Sequence, residues 1–249
     1  MADDSYYGPY AEFRKRDNYS DAFGSALDDL AAKVDLSHVK SCVAFGTGSG
    51  EQEMKFVGRL MPGLKWFTAV EDDRESTEAL RENFRKGLHP GVETCVVETS
   101  LEIWPGVDGH VDAVLLLNML SQVHADDRTA LFQRLMTLYL SDGGVVVIGE
   151  NVTSVPSGYV LLMARLGKPR VDYDVLEKEM LAAGFRAHLK QDFEVQRDLS
   201  DPSDDIVKYV QLETGHKHSD SHVRSTIDEI YRQPNMKISP NRLAIFTTR

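Results

Sequence analysis

The sequence predicts a single α/β domain built on a mostly parallel, seven-stranded sheet with helices on both faces. Short apolar segments alternate with stretches of helical period from Ser41 onward. Val111 to Asn118 is the near-continuous apolar run expected of a strand buried on both sides. No fixed-period repeat competes with that alternation. A chain of 249 residues can bury one sizeable core, so one domain spanning 1–249 is the expectation.

The elements follow in order. Residues 1–38 lack a strand pattern but space Tyr19, Phe23, Leu27 and Leu30 as one helix face, which predicts an N-terminal helical cap. The core spans 39–198. Cys42 to Phe45 is its first strand, and after a Gly-rich turn Met54, Val57, Leu60 and Met61 mark a helix. Trp66 to Val70 and Ser76 to Lys86 repeat the unit, stopped by Gly87 and Pro90, and Thr94 to Glu98 is a third strand. After the Val111 strand, Asp126 to Leu140 reads as a helix, and Asp142-Gly143-Gly144 turns the chain into Val145 to Ile148. Helices at Tyr159–Leu166 and Val175–Ala183 lead to strands at Ala187–Val195 and Arg242–Thr247. Residues 199–249 hold an insertion before the last strand, with polar loops at Leu199–Asp205 and His216–His222 around an amphipathic piece from Ile206 to Val210. That insertion is expected to cover the mouth of a site.

Composition narrows the function. The chain is 42% hydrophobic and 27% charged, in the globular range. A net charge of −11, with Arg14-Lys15-Arg16 as the basic run, argues against a nucleic-acid partner. The acidic excess favours cationic small molecules or simply keeps the protein soluble. Acidic residues near the start replace the basic n-region of a secretory signal, and no apolar run reaches membrane-spanning length, so neither export nor membrane insertion is expected. Cys42 and Cys95 lie in strand-like segments and read as two reduced core thiols of a cytoplasmic protein. His216, His218 and His222 lack the companions of a metal site, so no metal is expected. The nucleophile elbow of a serine hydrolase and the phosphate-binding loop of an NTPase are both missing.

Chemistry concentrates at strand ends. Gly46-Thr47-Gly48-Ser49-Gly50 follows the first strand and opens a helix, where glycines supply positive φ and let a ligand reach bare backbone. Glu71 ends the second strand about twenty residues later, placed to accept ribose hydroxyls. Taken alone the glycines are also consistent with a plain turn. Thr99 and Ser100 end the third strand and serve equally as a helix cap. Asn118, at the end of a buried run, is an amide in need of partners.

The G-x-G-x-G spacing resembles the first motif of class I S-adenosylmethionine-dependent methyltransferases, which implies a Rossmann-like fold and that cofactor, released as S-adenosylhomocysteine. The cofactor contacts so implied are Gly46, Thr47, Gly48, Gly50, Glu71, Ser76, Thr99, Ser100 and Leu117. A narrower resemblance, to histamine N-methyltransferases, rests on Tyr10-Ala11-Glu12-Phe13-Arg14, Val70-Glu71, Glu98-Thr99-Ser100, Asp112 through Asn118-Met119-Leu120, Ser157-Gly158-Tyr159 and Asn241-Arg242-Leu243. It implies that Asp21 anchors a cationic end, that Asn118 and Asn241 position the acceptor as the catalytic pair, and that Tyr10, Phe13 and Tyr159 supply rings. Gln122 and Met163 replace aromatic positions of that family, and Ser121 another, which implies a related amine rather than histamine itself.

The residues leave bland alternatives beside these roles: Asp21 as a solvent-facing helix residue, Tyr10 and Phe13 as cap packing, Asn241 as a turn former beside Pro240. The expected activity is monomeric small-molecule N-methylation. O-methylation with His124 as base, and a silent binding protein of the same fold, are the alternatives.

Overall fold

The computed structural model describes residues 6–87, 91–101, 104, 110–168 and 170–248. Its strands are β1 (Ser41–Phe45), β2 (Trp66–Glu71), β3 (Glu93–Glu98), β4 (Val111–Leu117), β5 (Leu140–Asn151), β6 (Arg186–Gln196) and β7 (Ile238–Thr247). They form one sheet in the order β3-β2-β1-β4-β5-β7-β6. β7 runs antiparallel to β5 and β6, and the pairs from β3 to β5 are parallel. The helices are α1 (Tyr7–Arg14), α2 (Tyr19–Ala31), α3 (Glu51–Leu60), α4 (Arg74–Gly87), α5 (Ala125–Arg134), α6 (Gly158–Arg165), α7 (Tyr173–Ala182), α8 (Asp204–Glu213) and α9 (Asp220–Tyr231).

Strand side chains alternate between faces, and the core divides accordingly. Cys42 and Ala44 point into one apolar layer with Phe23 and Leu27 of α2 and Phe56 and Val57 of α3, while Val43 and Phe45 point into the other with Leu131 and Phe132 of α5 and Leu176 and Met180 of α7. A third cluster joins α1, α6, α8 and α9 through Phe13, Tyr159, Leu162, Tyr209, Ile227 and Ile230. It forms a helical roof over the carboxyl ends of the parallel strands, where Gly46, Leu117 and Asn118 share one cavity with Phe13, Tyr159 and Tyr209.

Several expectations change. The His216–His222 segment is only partly a loop, because the Ser219 side chain caps His222 N and starts α9, whose Val223, Ile227 and Ile230 line one face. The Asp142-Gly143-Gly144 segment is an irregularity inside β5 rather than a separate turn: Gly143 sits at φ +76°, and the register against β4 shifts between Val111 and Ala113. The helix before it ends at Arg134 and passes through a π turn, Leu135–Tyr139, into a strand that begins at Leu140. Cys42 is buried, but Cys95 is exposed, because β3 is the sheet edge and little covers it. Pro90 and residues 1–5 lie outside the described residues.

The N-terminal segment divides in two. α1 packs on α8 in the roof, whereas α2 lies against α3 and β6 as part of a core layer. Phe23 is fully buried and stacks on Tyr19, with Phe193 of β6 edge-on to both. Removing that ring leaves a large void, so Phe23→Ala is expected to lower unfolding free energy by about 3–5 kcal/mol in urea denaturation. A loss under about 1 kcal/mol would show that α2 is a detachable flap.

Candidate functional site

The first parallel strand delivers the chain into a turn that few sequences tolerate. Gly46, Gly48 and Gly50 have φ of +59°, +53° and +75°. A Cβ on Gly46 would lie 2.9 Å from Met119 Cβ, and one on Gly50 2.3 Å from Leu80 Cδ1. These glycines meet both needs: left-handed backbone and close approach. Gly46 N donates to Val70 O at 2.9 Å, and Gly48 N donates to Glu71 Oε2 at 2.7 Å. The other Glu71 oxygen accepts from Asp72 N and Asp73 N at 3.1 and 3.0 Å. Burial raises the Glu71 pKa above the ordinary carboxylate value, and these backbone donors oppose the rise.

Two connected recesses open from this turn. One, of about 110 Å³, lies against Phe45, Val70, Thr99, Ser100 and Leu101. The other, of about 140 Å³, runs past Thr47, Ser76, Leu117, Asn118 and Gln122 to Tyr10, Phe13, Tyr159, Tyr209 and Asn241. They share Gly46, Glu71, Asp72, Met119 and Gln122. Thr47 Oγ1 and Asn151 Oδ1, both on residues lining the larger recess, are buried with no hydrogen-bond partner among the described residues. Native interiors rarely leave such atoms unsatisfied, so they mark where a polar ligand belongs.

Asn118 follows β4 with φ +58°, a left-handed geometry that Asn accepts more readily than most residues. Its Nδ2 donates to Tyr19 Oη at 2.8 Å and to Gln52 Oε1 at 2.9 Å, which turns its carbonyl oxygen into the atom available to a donor. Asn241 is buried in β7, with Nδ2 donating to Ser239 O at 2.8 Å. Phe13 packs against Tyr159 and Tyr209 at centroid distances of 5.3 and 4.3 Å, and the Tyr159 and Tyr209 hydroxyls are 3.1 Å apart.

Most of the residues singled out in the sequence converge here, and three do not. Asp21 is exposed on α2, where its backbone N–H donates to Asn18 O and its carbonyl accepts from Ser25 Oγ, and it lines neither recess. Its carboxylate faces water because the buried stripe of α2 is Tyr19, Phe23, Leu27 and Leu30. Met163 is fully buried in the roof without lining the cavity. Gly50 caps α3 and lets it pack against Leu80 of α4, also without facing either recess.

Residues that sequence reasoning passed over also line the larger recess: Arg14, Gln52, Glu53, Asn151, Arg170 and Arg197. Only Glu53 left a local signal, as an acid in the first turn of the helix after the glycines. Burial, with the nearby Glu71 and Glu51 carboxylates adding to it and its own backbone hydrogen bond opposing, pushes its pKa up to about 8. The folded chain therefore holds this proton from the ordinary Glu range up to about pH 8, while the unfolded chain releases it. Below that window both states are protonated; within it, rising pH costs stability by up to about 1.4 kcal/mol per pH unit. Glu53→Gln is expected to close the gap, matching the parent at pH 4 and unfolding at higher urea at pH 8–9. A parent-variant difference independent of pH would remove this role.

No protein-family model matches the sequence, and no curated protein matches it. Solved structures do. A candidate methyltransferase from Bacillus halodurans C-125 is similar at TM-score 0.62 and 13% identity, over 90% of this chain and 97% of that one. The cyclopropane synthase MmaA2 from Mycobacterium tuberculosis is similar at TM-score 0.58 and 12% identity, over 90% and 83%. The N-methyltransferase NodS from Bradyrhizobium japonicum WM9 is similar at TM-score 0.55 and 12% identity, over 91% and 96%. With the sheet order, these matches establish that the chain has the Rossmann-like fold of class I methyltransferases.

Proposed function

We propose that the protein is an S-adenosylmethionine-dependent methyltransferase acting on the nitrogen of a small amine. The observation that carries this reading is the turn at the end of β1: a glycine backbone from Gly46 to Gly48, tied by the Gly48 N–H to the carboxylate that ends β2, beside the Thr47 hydroxyl that has no partner among the described residues. The site suits the cofactor. On this reading Glu71 would take the ribose hydroxyls, the recess of Phe45, Thr99, Ser100 and Leu101 the base, and Gly46, Thr47, Ser76 and Leu117 the remainder, a reading supported by their lining the two connected recesses. The carboxylates at this end, Glu71 and Asp72, complement a sulfonium charge. When bound, the cofactor supplies an electrophilic methyl group.

The chain itself then has to hold the acceptor, align its lone pair and keep water out. The Asn118 carbonyl oxygen accepts an N–H from the acceptor and so fixes which lone pair faces the methyl donor. Asn241 and the rings of Tyr10, Phe13 and Tyr159 define the rest of the chamber, with α1 and α8 as its cover. The resemblance to histamine N-methyltransferases supports an imidazole amine through these residues, without the carboxylate of Asp21. The O-methylation alternative loses its base: His124 is largely exposed, lies 4.0 Å from Asp126 and lines neither recess.

Calorimetric titration with S-adenosylhomocysteine tests the reading. Saturable binding is expected, weakened about 10–100-fold in Glu71→Ala, where charge-assisted hydrogen bonds are lost. Asn118→Ala is expected to leave that affinity within about threefold and to lower kcat on whichever amine of an imidazole-amine panel is turned over by about 100-fold, while Asp21→Ala changes neither. Absence of cofactor binding would sink the proposal, and binding without turnover of any amine would favour a silent binding protein.

A further inference from the structure

We infer that the methyl acceptor carries a carboxylate, held in the roofed chamber by the guanidinium groups of Arg170 and Arg197. This deepens the methyltransferase reading of the same site and rests on it.

Both side chains line the chamber and are almost wholly buried, at 7% and 5% exposure. Arg197 donates from Nε and Nη2 to Asp17 Oδ2 at 3.1 and 2.9 Å. Arg170 reaches Glu213 Oε2 at 3.3 Å and the hydroxyls of Ser121 and Tyr159. Each guanidinium nevertheless keeps one buried nitrogen that finds no partner among the described residues, Arg170 Nε and Arg197 Nη1. A buried charged donor left unpaired is costly, and two on residues that line one cavity point to a missing acceptor group. Planar N–H donors of this kind match a carboxylate.

The local charge points the same way. Asp17 is shared by Arg14 and Arg197, and Glu213 by Lys168 and Arg170, with the buried Glu150 carboxyl also acting on Arg170, so three acidic groups face four cations. None of those three lines the cavity, whereas Arg14, Arg170 and Arg197 do. The cavity is thus polarised, with acids beside the Gly46–Gly48 turn and guanidiniums beneath the roof, inside a chain of net charge −11. An acceptor whose sole charge was a protonated amine would meet this cationic wall with Asp21 outside the cavity. Arg197 lies over the rings of Phe13 and Tyr159 at 4.7 and 4.5 Å, and Arg170 over Tyr159 at 4.8 Å, so the carboxylate end of the acceptor sits beside an aromatic wall suited to a flat body.

Matched probes that differ by one carboxylate test this: L-histidine against histamine and L-tyrosine against tyramine, titrated calorimetrically into the full chain with and without S-adenosylhomocysteine. At least one acid is expected to bind about 10-fold or more tightly than its decarboxylated partner. Arg197→Met should erase that preference, Arg197→Lys should restore part of it, and affinity for S-adenosylhomocysteine should stay within about threefold. The proposal is overturned if neither acid binds, if the decarboxylated probes bind as well, or if Arg197→Met keeps the preference. It is equally overturned if the loss falls on S-adenosylhomocysteine, which would assign the guanidiniums to the cofactor's own carboxylate. Failure of the parent chain to bind S-adenosylhomocysteine, with the acids still bound through Arg197, would fell the methyltransferase reading and leave the carboxylate site standing.

Discussion

The 2.7 Å hydrogen bond from Gly48 N to Glu71 Oε2 joins two elements that the sequence separates by a whole strand-helix unit. It exists because parallel pairing puts Phe45 opposite Val70 on one side and Leu116 on the other, so the chain leaves β1 just where β2 and β4 end. A slip of one residue in β2 would turn Glu71 to the other face and leave Gly48 without its acceptor. The register is protected by burial on both faces, through Ala44 against Leu115 and Leu115 against Val147 on one, and Val43 against Val114 and Val114 against Val146 on the other. Site geometry is therefore a by-product of core packing: the residues that keep the sheet dry also aim the glycine turn.

Burial has opposite consequences at the two ends of the cavity. At the turn, Glu53 and Glu71 lack cationic partners in ion-pair range, and desolvation raises both. At Glu53, a carboxyl that holds its proton costs less to bury than an unpaired anion. Beneath the roof, Arg14, Arg170 and Arg197 lean on Asp17 and Glu213. These pairs cross the fold: Asp17 precedes α2 while Arg197 follows β6, and Glu213 ends α8 while Arg170 precedes α7. The Asp17–Arg197 pair thereby ties the chain leaving β6 to the connection between α1 and α2, while the rings of Phe13, Tyr159 and Tyr209 hold the roof helices to one another.

That division explains what the sequence made legible. The strands, the glycine turn, Glu71 and the end of β4 at Asn118 are local signals, each a run or spacing within one unit. The roof is not local. Arg170 and Arg197 sit in segments with no distinguishing pattern, and nothing near either in sequence shows that both end on Tyr159. α9 was hidden by histidines that read as loop, although Ser219 with Val223, Ile227 and Ile230 supplies a cap and an apolar face. Asp21 failed for a related reason: a carboxylate on an amphipathic helix points inward only if it shares the apolar stripe, and the stripe of α2 runs through Phe23 and Leu27.

A sheet of this order fixes where a nucleoside-like cofactor can lie, and it leaves the acceptor unspecified, since one fold hosts many chemistries. Acceptor choice must then come from what the roof adds, which is α1, α6, α8 and the segments carrying Arg170 and Arg197. An amine reading drawn from Asn118, Asn241 and the aromatic rings concerns only the reacting end of the molecule. The unpaired guanidinium nitrogens concern its other end, and both conditions have to be met within one chamber. An acceptor with a nucleophilic nitrogen at one end and an anion at the other meets them together, which a simple cationic amine does not.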